Sequence, residues 1–91
     1  MDTEAWKSWI GQQVVVDTNS IFVYIGTLAE VKPQFVVLKE VDAHDKNDSL
    51  ATKERYVMDA KRFGIRPNRK EASIRIDLVV SLSRLDDVIV Y

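Results

Sequence analysis

Residues 73–91, SIRIDLVVSLSRLDDVIVY, constrain the fold of this chain more than any other stretch, because they read as two β runs joined by a short polar break. In residues 73–80, Ile74, Ile76, Leu78 and Val80 fall on one face and Ser73, Arg75 and Asp77 on the other, the period-2 pattern of a half-buried strand. Residues 87–91 supply a second, mostly β-branched run. The break between them, residues 81–86, holds neither Gly nor Pro, and Ser83 is placed to cap a single helical turn that buries Leu85. The last run is apolar on both faces, with Val88 and Val90 opposite Ile89 and Tyr91. It carries no Pro or Lys to block its edge, so it is expected to pair with another chain.

The preceding sequence supplies the rest of a small sheet. Asp2 or Thr3 can cap a short helix in which Trp6, Trp9 and Ile10 form one apolar stripe, with Gly11 ending it. The stripe reads as packing on the sheet rather than as a ligand platform. Residues 12–17 form a strand around Val14, Val15 and Val16, and Thr18, Asn19 and Ser20 a polar turn. Residues 21–31 form a longer strand, in which Gly26 is where a bulge or sharp bend costs least. Lys32, Pro33 and Gln34 turn the chain into a third strand at residues 35–41. The charged run 42–48 reads as a loop. Over residues 49–63, Tyr56, Ala60 and Phe63 have helical spacing, Ser49 can cap and Gly64 can terminate, although Tyr56, Val57 and Met58 also suit a strand. Residues 65–72 read as a loop led by Pro67 and Asn68.

This order of elements in 91 residues predicts one domain, mainly β: a five-stranded, strongly bent, partly open barrel with an N-terminal helix and a helical insertion. No residue is Cys, which removes disulfides and thiolate metal sites and suits a reducing, cytoplasmic setting. The longest apolar run, residues 21–25, is too short to span a membrane as a helix. The formal net charge of −1 gives no global field for nucleic acid, but residues 53–70 hold seven basic and two acidic residues. Within that segment Lys61, Arg62, Arg66, Arg69 and Lys70 suit phosphate contacts, with Phe63 or Tyr56 as a stacking surface. The plainer expectation is a solvated face whose cations meet nearby acids.

Enzymatic patterns are weak. His44 among Asp42, Asp45 and Asp48 resembles an oxygen-rich metal loop but lacks the central Gly, and Lys53 stands where an EF-hand needs Glu. Ser81 and Ser83 have no nucleophile elbow around them, and Asp86 and Asp87 sit where capping carboxylates are common. The expectation is a binding protein without cofactor, metal or catalytic residues.

Gly11, Val14, Val16, Gly26, Leu28 and Leu38, within IGQQVVVDTNSIFVYIGTLAEVKPQFVVLKEV, resemble the first Sm motif of the Sm-like (Lsm) family, here a divergent bacterial type with a long insertion at residues 42–72. The C-terminal segment resembles that family's fourth and fifth strands, so the resemblance covers residues 4–42 and 73–91. It implies a homo-oligomeric ring, closed by pairing the fourth strand of one protomer with the fifth of the next, and single-stranded RNA as partner. The expected subunit contacts are Leu78, Val80, Val88, Ile89, Val90 and Tyr91. The family's Asp and Asn after the second strand have no match in the turn at residues 31–35, and Ser81, Leu82 and Ser83 stand where its Arg-Gly is expected. Lys32, Gln34 and Arg84 are the nearest polar replacements. Two function classes follow: a ring that binds RNA through its pore or the basic insertion, and a structural barrel that docks a protein partner.

Overall fold

The computed structural model describes residues 3–47 and 52–91. Five antiparallel strands, β1 (Gln13–Thr18), β2 (Phe22–Val31), β3 (Phe35–Asp45), β4 (Arg69–Arg75) and β5 (Val79–Arg84), form one sheet in the order β4-β3-β2-β1-β5. No ladder joins β4 to β5, so both are edges. The sheet is drawn round on itself by the connection between them. There Ile76 N–H donates to the Gln34 carbonyl at 2.9 Å and Asn19 N–H to the Leu78 carbonyl at 2.7 Å. This is the partly open barrel that the residue patterns predict.

Both faces of the sheet are covered, which explains the unbroken run Val14, Val15, Val16 in β1. Val14 and Val16 point into the barrel with Leu28, Val36, Leu38, Val41, Ile74, Val79 and Leu82. Val15 points the other way and joins Val23, Ile25 and Leu85 beneath Val57 and Ala60 of α2 (Lys53–Phe63). Each such fully buried aliphatic side chain is worth about 1.5–3 kcal/mol. The N-terminal helix α1 is a single turn, Glu4–Lys7, and its Trp6, with Trp9 just beyond it, packs half-buried on the barrel core as expected. Ile10 stays exposed, Thr3 makes no side-chain cap, and Asp2 lies outside the described residues.

Bulges set which side chains reach which face. Opposite Gly26 alone, β3 places both Glu40 and Val41, between the pairs Ile25 with Asp42 and Thr27 with Lys39. Glu40 takes the extra position with φ of 50°, a conformation unusual for a side-chain-bearing residue. The inserted residue reverses the alternation of β3. Val36, Leu38 and Val41 therefore all face the barrel, and Asp42, which would otherwise have followed Leu38 inward, is turned toward α2. A second bulge between Asp17 and Thr18 leaves Val80 as the extra residue of β5.

Several expected boundaries are corrected. β3 runs through Asp42 and His44 to Asp45 instead of ending at Val41, because the bulge lets the ladder continue past Glu40. β4 begins at Arg69, inside the expected loop, and stops at Arg75. Ile76–Leu78, expected as strand, is a 3₁₀ turn, and the expected break at residues 81–86 is mostly β5. Leu85 is buried in one 3₁₀ turn, Leu85–Asp87, as predicted, but no Ser83 cap forms. Residues 88–91 follow that turn outside the sheet, so the expected terminal strand is absent from the isolated chain. The insertion between strands is residues 46–68, and Thr52 caps its helix, accepting from Arg55 N–H at 3.1 Å. Ser49 and Asp48 lie outside the described residues.

Candidate nucleic-acid interface

The turn 32–34 and the crossover 75–78 meet at one end of the barrel. A hydrogen bond from Lys32 N–H to the Phe35 carbonyl, 2.8 Å, tightens the first turn, and the Ile76 to Gln34 bond ties the second loop to it. Between them opens a cavity of about 530 Å³ lined by Pro33, Gln34, Phe35, Arg75, Ile76, Asp77 and Val79. Phe35 and Arg75 are cross-strand partners, so an aromatic ring 38 % exposed and a guanidinium stand side by side at its mouth. Asp77 Oδ2 lies 2.6 Å from Arg75 Nη2 and orients it while both groups stay accessible. With β5 placed at Val79–Arg84, the 3₁₀ turn Ile76–Leu78 precedes the last strand, and Arg75 closes β4 just before that turn.

The other pore candidates scatter. Gln34 lies in the loop pair, and Lys32 is exposed beside it, 3.8 Å from Glu30. Arg84 does not join them. It lies at the opposite end of β5 from Val79, opposite Val14, and grips Asp87 through two bonds of 2.9 Å. Those bonds raise the Arg84 pKa and lower that of Asp87. Asp87 is thereby an ion-pair and turn residue rather than half of an acid–base dyad.

The basic insertion divides in the same way. Lys61 on α2 donates to the backbone carbonyls of Asp86, at 2.7 Å, and Val88, and so ties the C-terminal segment to the helix. Arg62 lies over the Phe63 ring, 5.4 Å from its centroid. Lys53 is drawn to Asp17 at 2.8 Å, and Arg55 lies 3.6 Å from Asp59. Arg66, Arg69 and Lys70 are exposed, with no ion pair among the described residues. Of the expected subunit contacts, Leu78 lies in the 3₁₀ turn, Val80 is the exposed bulge of β5, and Ile89, Val90 and Tyr91 are exposed beyond it.

His44 and Asp42 are not in a solvated metal loop. Both lie on β3 under α2, where His44 stacks on Tyr56 with ring centroids 3.6 Å apart and Tyr56 Oη donates to Asp42 Oδ2. Burial, and then the bond to Asp42, push the phenol well above its ordinary pKa, so it remains a donor. Among the described residues no cluster of His, Cys, Asp and Glu could hold a metal ion, and no helix is long and apolar enough to cross a membrane.

No protein-family model matches this chain, and no curated protein does. Among solved structures, it is similar to the Sm protein of Pyrococcus abyssii in complex with a uridine heptamer, with a TM-score of 0.63 and 15 % identity over 92 % of this chain and 97 % of that one. The fold is therefore Sm-like: five antiparallel strands in an unclosed, strongly bent sheet with an N-terminal helix, here with a second helix inserted between β3 and β4.

Proposed function

We propose that this chain is a non-catalytic, cytoplasmic Sm-like protein that assembles into a homo-oligomeric ring and binds single-stranded RNA at the cavity between residues 32–35 and 75–79. The observation that carries the reading is that cavity. It sets an exposed aromatic ring, Phe35, beside a guanidinium, Arg75, with the Gln34 amide between loops that hydrogen-bond to each other. A stacking surface next to a phosphate-binding cation is the combination that single-strand sites use. The solved neighbour, an Sm protein with a uridine heptamer, supports the same class of ligand. Assembly is supported by the two unpaired edges, β4 and β5, and by apolar Val80, Ile89 and Tyr91 on the surface near one of them.

Binding of oligo-uridine and oligo-adenosine at low and rising salt tests this. Each phosphate neutralised contributes about −0.7 to the slope of log K against log salt, so four or five contacts give about −3. Arg75→Ala and Phe35→Ala should each weaken binding about tenfold, the first also flattening the slope. Absence of binding to either strand at low salt, or unchanged affinity in both variants, would overturn it.

A further inference from the structure

The α2 insertion forms a second cavity, on the opposite face of the sheet from the barrel core. Its volume is about 350 Å³, and it is lined by Asp42, Tyr56, Asp59, Ala60, Phe63, Gly64 and Arg66. Its floor is the Asp42 carboxylate, 6 % exposed, which the Glu40 bulge turns to this side. Oδ2 accepts from Tyr56 Oη. As a lining group of the cavity, the carboxylate is an acceptor within reach of a ligand's donors. Asp59, on the same wall, adds a second acceptor that is only loosely engaged, 3.6 Å from Arg55. Phe63 overhangs the opening with its ring 74 % exposed, an unusual state for a phenylalanine at the end of a packed helix. Outside the acceptors, Arg66 and Arg62 make the rim cationic.

The occupant this asks for has a flat π face for Phe63, hydrogen-bond donors for the carboxylates, and an anionic group for the arginines. We infer that this cavity binds a guanine nucleotide, with the base stacked on Phe63, its N1–H and N2–H₂ directed at the Asp42 and Asp59 carboxylates, and its phosphate at Arg66. Among the bases, guanine alone presents two adjacent donors on its Watson–Crick edge. Uracil presents two carbonyls flanking one N–H, and these would face carboxylate oxygens. Cytosine and adenine each pair one amino donor with a ring acceptor. A cation without phosphate fits less well, since the rim repels it. The volume suits one small ligand. The guanine can belong to a free nucleotide or to a single strand, and the site is separate from the loop cavity of the proposed RNA site.

The test titrates the full-length chain with GMP, AMP, CMP and UMP, followed by backbone NMR shifts in α2 and β3. GMP should bind about tenfold or more tightly than UMP, with shifts centred on residues 59–66. Phe63→Ala, at an exposed position, should weaken GMP about fivefold or more without altering the fold, and Arg66→Ala should weaken GMP but not guanosine. Asp42→Asn, which turns an acceptor into a donor, should abolish the preference for GMP over UMP. If that buried substitution prevents folding, Phe63→Ala and Asp59→Asn carry the test. A single strand with one guanine in a uridine run, compared with GMP, separates the sources: tighter binding of the strand assigns the site to RNA, and equal binding assigns it to free nucleotide. Equal affinity for UMP and GMP, or GMP binding unchanged by Phe63→Ala, would overturn the inference. The all-uridine strand reports the loop cavity independently, so failure of one site does not imply failure of the other.

Discussion

The Asn68 side chain holds both backbone groups of Ala43: Nδ2 donates to the Ala43 carbonyl and Oδ1 accepts the Ala43 N–H, each at 3.0 Å. Ala43 lies on β3 beyond the reach of the β4 ladder, whose last pair is Val41 with Arg69. A side-chain amide thus extends the sheet by one residue and fixes where the insertion returns to it, an arrangement reinforced by Asn68 N–H donating to the Val41 carbonyl at 2.8 Å.

Asn68→Ala leaves both Ala43 groups without their partner and should cost about 2 kcal/mol in urea unfolding. Asn68→Asp keeps the acceptor but sets an oxygen against the Ala43 carbonyl. Its loss should match or exceed that of alanine at neutral pH and shrink below about pH 4, where the introduced carboxyl regains a proton to donate. Equal stability of wild type and Asn68→Ala would show that water replaces the amide without loss.

Gly26 faces the bulge from β2, and a Cβ there would lie 3.0 Å from the Lys39 carbonyl oxygen and 3.2 Å from Val41 Cα. These are backbone atoms held by the ladder and have no rotamer to yield. Gly26→Ala should therefore destabilise by about 1–3 kcal/mol, as overpacking does. Because the bulge sets the orientation of Asp42 and His44, the variant should also disturb the stacking of His44 on Tyr56, visible as a changed His44 ring shift in NMR.

Asp17 joins the insertion to β1: Lys53 Nζ lies 2.8 Å from Oδ2 and Lys46 Nζ 2.7 Å from Oδ1, and Lys46 also donates to the Thr18 carbonyl. Burial pushes the Asp17 carboxyl up, but the two ammonium groups outweigh it and hold the pKa below 3.8. A carboxylate depressed in the folded state contributes stability that is whole above its unfolded value. That stability is lost as pH falls through the folded one. Stability should thus decline below about pH 4, and Asp17→Asn should flatten that decline while costing about 1–2 kcal/mol at neutral pH. Unfolding midpoints across the acid range check both signs.

Much of the fold was legible because short apolar runs bounded by turn residues mark strands covered on both faces, and β1, β2 and the first half of β3 are such runs. The pattern failed wherever a residue was inserted. Glu40 reverses the period of β3, so Asp42 and His44 looked like loop although they continue the strand. In residues 73–80, Ile74, Ile76, Leu78 and Val80 alternate as evenly as in a strand, but Ile74 and Ile76 pack on the barrel core whereas Leu78 and Val80 lie at the surface, one in the 3₁₀ turn and one at the bulge. Arg75 and Phe35 were missing from the candidate site because each reads singly as an ordinary strand residue, and only the pairing of β3 with β4 sets them side by side. The uneven employment of the basic insertion was not legible at all. That Lys61 ties down backbone carbonyls while Arg66 stays free depends on how α2 sits on the sheet, which no local pattern encodes.

Lys61 bears directly on assembly. By bonding the Asp86 and Val88 carbonyls it holds the start of residues 88–91 beside β5, leaving Ile89 74 % and Tyr91 90 % exposed. If protomers join through this edge, as proposed, a charge at Ile89 must be desolvated at every joint, whereas in a monomer it would stay in water at little cost. Ile89→Lys should therefore shift the mass seen by light scattering and native mass spectrometry from a closed oligomer to monomer while leaving the monomer's circular dichroism unchanged. Lys61→Met, which keeps the aliphatic stem but removes the donors, should weaken assembly without abolishing it and should speed hydrogen exchange at residues 88–91. An oligomer of unchanged mass in Ile89→Lys would mean that any joint between protomers does not run through this segment.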